Sequence, residues 1–404
     1  MGKEIRSIIG YYGGKHRMSH YIAERLDYAN CDTYFEMFGG GARVLLNKPR
    51  HEHEMYLDYS ACLTALMGVI SNEYKADEFI HRVYETDYSR EEFERAKAIV
   101  DFVESDPLSY YSNAMRDALK SLFIKYDMLS ENATKRDIDK ILKDESSIGV
   151  LRGNIEKETL NVKDEIYSGL IELLELYQYM EDDFRLNGSL KRNQDYDVHQ
   201  TFTDMEIAVA TYVVYTQSRD NMGKYWSGSK FKSNEAYRKH IEKLYDCAER
   251  MKNVNVYQLD ASIFYRKLYS GDKKTMNEWL MSPKLMIYAD PSYISPVEES
   301  KLLEGIDIAK ASWLSKEIIK NNKGKNPKNL GGIYAMSFNY IQQEYFVRSI
   351  QNAKCKIMVS NYDLELYNKY LNEDTGWKKL YFETSTSVGN KAGNKRVECL
   401  WYNY

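Results

Sequence analysis

CDTYFEMFGGGARVLL, residues 31–46, decides how the chain is read. A short apolar and aromatic run ends in three consecutive glycines, Gly39 to Gly41, and a helix-forming segment follows. Glycine lets a backbone turn tightly and lets a ligand approach main-chain N–H groups. The spacing matches neither the GxGxxG dinucleotide fingerprint nor the GxxxxGK[ST] phosphate loop. A strand, a glycine turn and a helix are expected here. Taken alone, the stretch is equally well a plain structural turn.

The pattern continues outward. EMYLDY (residues 54–59) reads as a second strand, and SACLTALMGVI (60–70) has helical spacing behind a serine cap. Strand-like runs return with NVNVYQL (253–259), KLMIYAD (284–290), CKIMVSN (355–361), KLYFETS (379–385) and VECLWYN (397–403). Such runs separated by helical segments predict an α/β fold with a mostly parallel sheet. The last two, joined by SVGNKAGNKR (387–396), predict a closing antiparallel hairpin. Between residues 75 and 200 the chain is charged and glycine-poor; ATKRDIDKILKDESS (133–147) reads as exposed, and IYSGLIELLELYQYM (166–180) as an amphipathic helix. The expected organisation is a discontinuous core over 1–75 and 250–404, with a largely helical insertion over 76–249.

Composition narrows the class. At roughly 100–200 residues per domain, 404 residues make two domains or one elaborated domain. Hydrophobic residues at 43% and charged residues at 29% are ordinary globular values, which excludes fibrous and wholly disordered chains. No run approaches the ~18–20 apolar residues of a membrane span. The opening MGKEIRSIIGYYGGKHRM is short in apolar residues and does not read as a secretory signal. Cys31, Cys62, Cys247, Cys355 and Cys399 are far apart and form no CxxC pair, which fits a reducing cytoplasm. His51 and His53 form an HxH without an evident third ligand, so no metal is expected and a surface loop is the better reading. A net charge of −4 excludes a uniformly basic face but leaves room for a local one. Between Arg219 and Lys239 six basic residues stand against two acidic ones.

Three further places hold chemistry. GYYGGKH (10–16) is a tight glycine turn with aromatics before it and Lys15 after it. Asp58 ends the second strand, where a carboxylate can accept from both hydroxyls of a ribose or simply cap the next helix. ADPSY (289–293) delivers an acid, a proline and an aromatic at the carboxyl end of a strand, where doubly wound proteins place their sites. A carboxylate beside an exposed ring can hold a planar amine-bearing ring, one by hydrogen bond and one by stacking.

Read together, these motifs resemble the Dam-type adenine-N6 DNA methyltransferases. The family's aromatic-GGK opening matches Tyr11 to Lys15. Its strand-turn motif matches Tyr34 to Asn47, with Met37 in place of a proline. Its acidic strand end matches Asp58. Its catalytic DPPY appears as Asp290, Pro291, Ser292 and Tyr293, with Ser292 replacing the second proline. VSNYD (359–363) is similar to a later family strand, and residues 387–403 to its closing hairpin. The resemblance spans roughly residues 8–75 and 205–404.

The resemblance implies a Rossmann-like methyltransferase sheet, S-adenosylmethionine as methyl donor and double-stranded DNA as substrate. Tyr11 and Lys15 would cover the cofactor. Glu36 with Phe38, Gly39 and Gly41 would cradle its amino-acid part and Asp58 its ribose; Asp260 would contact its adenine or simply end the strand in a turn. Asp290 and the Pro291 carbonyl would accept from the target amine, with Tyr293 stacked on a base taken out of the duplex. Arg219, Asn221 and Lys224 are the first candidates for DNA contact, a solvated loop being the alternative; Lys391, Lys395 and Arg396 are the second. No membrane partner is implied, and a cognate restriction endonuclease is one the family allows. An RNA adenine methyltransferase, a catalytically silent DNA- or cofactor-binding homologue, and a partner-dependent subunit remain open alternatives. Ser292 is the residue that favours the silent reading.

Overall fold

The computed structural model describes residues 4–11, 15, 18–105, 123–124, 127–130, 132–134, 137, 140–141, 202–219, 221, 223–258, 261, 280–321, 338, 340–385 and 395–404. Seven strands form one sheet: β1 (Thr33–Met37), β2 (His53–Asp58), β3 (Val254–Gln258), β4 (Leu285–Ala289), β5 (Lys356–Tyr362), β6 (Lys378–Ser385) and β7 (Lys395–Tyr402). Their order is β3-β2-β1-β4-β5-β7-β6. The first five run parallel, and β7 is antiparallel to both β5 and β6. This is the expected Rossmann-like sheet with its closing hairpin.

Alternation along the strands builds two cores, because successive side chains point to opposite faces. On one face Phe35, Met37, Leu57, Ile287, Val359 and Trp401 pack together. They are covered by α9 (Pro296–Leu302), α10 (Leu314–Asn321), α11 (Tyr340–Ile350) and α12 (Glu365–Tyr370). On the other face Tyr34, Tyr56, Met286, Tyr288, Met358 and Leu400 pack together. Their cover is α1 (Ser19–Arg25), α2 (Arg43–Asn47), α3 (Ala61–Ser71), α4 (Ala76–Glu85), α6 (Asp204–Gln217), α7 (Asn234–Ile241) and α8 (Lys243–Met251). α5 (Arg90–Ser105) follows α4.

The chain divides into two compact units, Met1–Val100 with Phe202–Tyr404, and Asp101–Thr201. The first holds the sheet and, with it, α4 and α6 to α8. In the second, Asp137 accepts from the backbone N–H and hydroxyl of Thr134, at 2.8 and 2.6 Å. The segment 166–180 and most of 133–147 lie outside the described residues.

Each expected strand forms within one or two residues of its sequence bounds. Ser60 caps α3 as its position implies, its hydroxyl accepting from the Leu63 N–H at 3.0 Å. The HxH reading needs correction. His53 opens β2 and is exposed, but the His51 side chain is only 4% exposed. Its Nδ1 lies 2.9 Å from Lys48 Nζ. Lys48 and Arg250 both pair with buried Glu54, so His51 lines an ion network at the amino end of β2.

The strand order reverses between β1 and β4. At that switch point the carboxyl ends of neighbouring parallel strands open a crevice, the general ligand position of such sheets. Met37 pairs with Ala289 across it. The glycine turn after β1 and the DPSY segment after β4 therefore leave the sheet side by side.

The turn depends on a close approach. A Cβ on Gly39 would sit 2.1 Å from the Tyr56 ring, whereas a Cβ on Gly68, within α3, would meet nothing within 4 Å. Gly39→Ala is expected to lower unfolding free energy by about 1–3 kcal/mol. Gly68→Ala should raise it by about 0.5–1 kcal/mol. Urea denaturation of both variants checks the contrast.

Candidate active site

The glycine turn holds an unusual backbone. Phe38, Gly40 and Ala42 all have positive φ, at 57°, 49° and 54°. Side-chain and main-chain bonds hold it there. The Gly39 N–H donates to the Leu57 carbonyl at 2.9 Å. The Tyr56 hydroxyl donates to the Gly40 carbonyl at 2.8 Å. Asp58 Oδ2 accepts from the Gly40 N–H and Oδ1 from the Ser60 N–H, both at 2.9 Å. Asp58 thus ties the turn to the start of α3, while Ser60 does the capping. Tyr11 lies over the turn, its ring 3.2 Å from where a Cβ of Gly40 would be. Phe38 points to the opposite core, against Phe338 and Phe346 at 5.0 and 5.7 Å between ring centroids.

Glu36 does not join that turn's surface. Its side chain is 3% exposed and accepts from the Tyr34 hydroxyl at 2.8 Å. The Leu45 backbone N–H also donates to it, but burial dominates and lifts its pKa to about 8.

At the carboxyl end of β4 the acid and the aromatic meet a lysine from the chain's start. Lys15 Nζ is 2.9 Å from Asp290 Oδ1 and 3.8 Å from Glu398 Oε2. It lies over the Tyr293 ring at 4.3 Å from the centroid. The Ser360 hydroxyl donates to Asp290 Oδ1 at 2.6 Å and is itself 3.0 Å from the Tyr288 hydroxyl. The Tyr293 hydroxyl donates to Glu398 at 3.1 Å, and its ring packs on Tyr362 at 4.8 Å. Burial raises the Asp290 pKa, although Lys15 and Ser360 pull it back. Burial works against the Lys15 charge, but Asp290 and Glu398 outweigh it and hold its pKa above the ordinary value.

Asp290, Tyr293 and Lys15 therefore come together. Tyr11, the Phe38–Gly41 turn and Asp58 form a second group on the next strands. Asp260 and Lys391 lie outside the described residues. Ser360 and Glu398 were missed by sequence reasoning. Ser360 sits inside VSNYD, and Glu398 is a lone acid in an apolar strand, VECLWYN, which was a readable signal.

Of the DNA candidates, Arg219 and Lys224 are exposed. Asn221 has φ 55° and accepts from Lys230 Nζ at 2.7 Å. It packs on Gly10, where a Cβ would lie 2.6 Å from its Oδ1. Lys230 Nζ also donates to the Ser218 carbonyl at 2.9 Å. Ser218 bridges to Trp226, and the Arg219 N–H donates to the Tyr225 carbonyl at 2.9 Å, so the loop closes on itself. Tyr225 is left 67% exposed beside Lys224. Lys395 and Arg396 open β7 opposite Ser385 and Thr384.

The buried Glu36 has a thermodynamic consequence. Its folded pKa of about 8 lies above its ordinary 4.5. Its contribution to stability is therefore complete below about pH 4.5 and lost as pH rises toward about 8. Glu36→Gln removes that titration. The wild type should lose more melting temperature than Glu36→Gln across this window, which parallel thermal melts will read.

No curated protein matches the chain. A family model does, over residues 11–140, and its description is D12 class N6 adenine-specific DNA methyltransferase. The matched stretch contains Lys15, the glycine turn and Asp58, and ends before the DPSY segment. Over that stretch of a 404-residue chain with a Rossmann-like sheet, the protein is similar to the D12 class N6 adenine-specific DNA methyltransferases, the Dam-type family that its motifs resemble.

Proposed function

We propose that this protein transfers the methyl group of S-adenosylmethionine to the N6 amine of an adenine flipped out of double-stranded DNA. The observation that supports this most directly is the Asp290–Tyr293 segment, with Lys15 and Glu398, beside the glycine turn at the switch point of the sheet. The residues of the turn fit the cofactor. Glycines line it, Tyr11 lies over it, and the Asp58 carboxylate, held by main-chain N–H groups of Gly40, Tyr59 and Ser60, has acceptor capacity beyond those three bonds. Lys15, Tyr11, the Phe38–Gly41 turn and Asp58 would hold it, and when bound it supplies an electrophilic methyl group.

The chain's own residues bind and aim the base. Among the described residues the Lys15 and Ser360 contacts to Asp290 both fall on Oδ1, which leaves Oδ2 to accept from a target amine. A hydrogen bond there draws the nitrogen lone pair out of ring conjugation. The Pro291 carbonyl is the second acceptor, and Tyr293 offers its ring for stacking. Orientation supplies much of the rate in a displacement of this kind. Arg219, Asn221 and Lys224, and the Lys395–Arg396 start of β7, are proposed to bring local positive charge to DNA. The region 76–249 is proposed to shape target recognition.

Radiolabelled methyl transfer tests the reading, with unmethylated duplex DNA and RNA as parallel substrates. Label is expected as N6-methyladenine in DNA, reduced about a hundredfold or more by Asp290→Ala. Label in RNA alone would move the substrate class, and cofactor binding without any transfer would leave the silent homologue standing.

The acid limb of the rate profile should report Asp290. The carboxylate is the working form, so activity falls as pH drops through its raised pKa. The Lys15 ammonium lowers that pKa, and its removal raises it. In Lys15→Met the acid limb should shift upward by about one pH unit or more. A limb that stays in place would remove Asp290 from that role.

A further inference from the structure

The loop after β4 lacks the second proline of the family pattern, and its stiffness has another source. Gln343, on α11, is fully buried. Its Nε2 donates to the Ser292 carbonyl at 2.8 Å and to the Phe338 carbonyl at 2.9 Å. Its Oε1 accepts from Asn361 Nδ2 at 3.3 Å and from the Tyr367 hydroxyl at 3.1 Å. Both donors and both lone-pair positions of the amide are used.

Chemistry fixes which way this amide points. The two main-chain carbonyls can only accept, so the nitrogen must face them. Asn361 Oδ1 already accepts from the Tyr362 N–H at 2.8 Å, which leaves its Nδ2 as the donor to Gln343. The Ser292 hydroxyl lies 3.5 Å from the Phe338 nitrogen, at the long edge of a hydrogen bond. The same network reaches the aromatic of the site, since Tyr362 packs on Tyr293.

We propose that Gln343 is a positioning residue for methyl transfer: by holding the Ser292 carbonyl it sets the course of Pro291 to Tyr293, in place of a second proline ring. The assignment rests on the methyltransferase reading above. The two devices act on adjacent torsions. A proline at 292 would restrain φ of that residue. The amide bond restrains the 292–293 peptide plane, and so the torsions that aim the Tyr293 ring and the neighbouring acceptor carbonyl. Ser292 is then a change of mechanism for rigidity and not a mark of decay.

The test compares full-length wild type with Gln343→Ala and Gln343→Glu, measuring single-turnover transfer to duplex DNA, cofactor dissociation constant and thermal unfolding. Gln343→Ala should slow transfer about ten- to a hundredfold at a temperature where it stays folded, with cofactor affinity within about twofold. Gln343→Glu keeps the volume, and only its protonated form can donate to the Ser292 carbonyl. Its transfer relative to wild type should therefore be higher near about pH 6 than near about pH 8, because burial keeps part of the carboxyl protonated at the lower value. This arm decides the matter should Gln343→Ala not fold. Unchanged transfer in Gln343→Ala, or a pH-independent ratio in Gln343→Glu, overturns the assignment. A wild type that methylates no DNA overturns the proposed reaction itself, and the assignment with it.

Discussion

The buried contact between Lys15 and Asp290 is the constraint on which the site depends. Lys15 is 8% exposed and Asp290 19%, so both charges have lost most of their water. Removing an ion from water is costly, and mutual attraction offsets the cost only when the geometry is good and the remaining hydrogen-bonding capacity is used. Here the offset comes from several elements at once. Glu398 from β7, Ser360 from β5 and the Tyr293 ring all meet the pair. A segment from the chain's start, the central strand β4 and the closing hairpin are thereby held in one place. The shifts follow from this arrangement: burial raises Asp290 while Lys15 restrains it, and two carboxylates keep the lysine charged.

The same arrangement bears on how a base would enter. Lys15 Nζ is an amine-bearing cation that donates to Asp290 and lies on the Tyr293 ring. A target adenine would present an amine to that carboxylate and a ring to that tyrosine. Glu398 is the second acceptor within reach of the lysine, and it is bonded to the tyrosine hydroxyl. The lysine therefore has a carboxylate to turn toward when Asp290 takes another donor.

Much of this was legible in the sequence, and the legible part has a common cause. Strands announce themselves by apolar runs and alternation, so all seven were readable to within a residue or two. Turns announce themselves by glycine and proline, so the segments after β1 and β4 stood out. Ser60 was readable as a cap because capping is local. Ser360 and Gln343 were not readable, and Glu398 stood out only as a lone acid whose partners could not be named, because these roles come from long-range register. Tyr362 pairs with Glu398 across β5 and β7, and only that register carries the glutamate to Tyr293 and Lys15. Glu36 shows how burial is set by alternation. The family motif put it among the cofactor residues, whereas period-two alternation turns its side chain inward with Tyr34 and Tyr56. His51 misled: a short polar HxH reads as surface until Lys48, Glu54 and Arg250 close over it.

Topology also joins the basic loop to the glycine turn. Residues 218–231 belong to the long connection between β2 and β3, the crossover that returns the chain to the edge of the sheet. Tyr88, just after α4, holds this loop: its hydroxyl donates to the Ser227 carbonyl and accepts from the Lys230 N–H. The other end rests on Gly10, where any side chain would collide with Asn221. Gly10 is followed directly by Tyr11, whose ring covers the glycine turn and touches Tyr215 on α6 at 5.6 Å between centroids. Asn221 and Tyr11 thus lie on either side of one peptide unit. At position 10 the basic loop and the glycine turn meet across one residue, where a Cβ would press on the Asn221 amide.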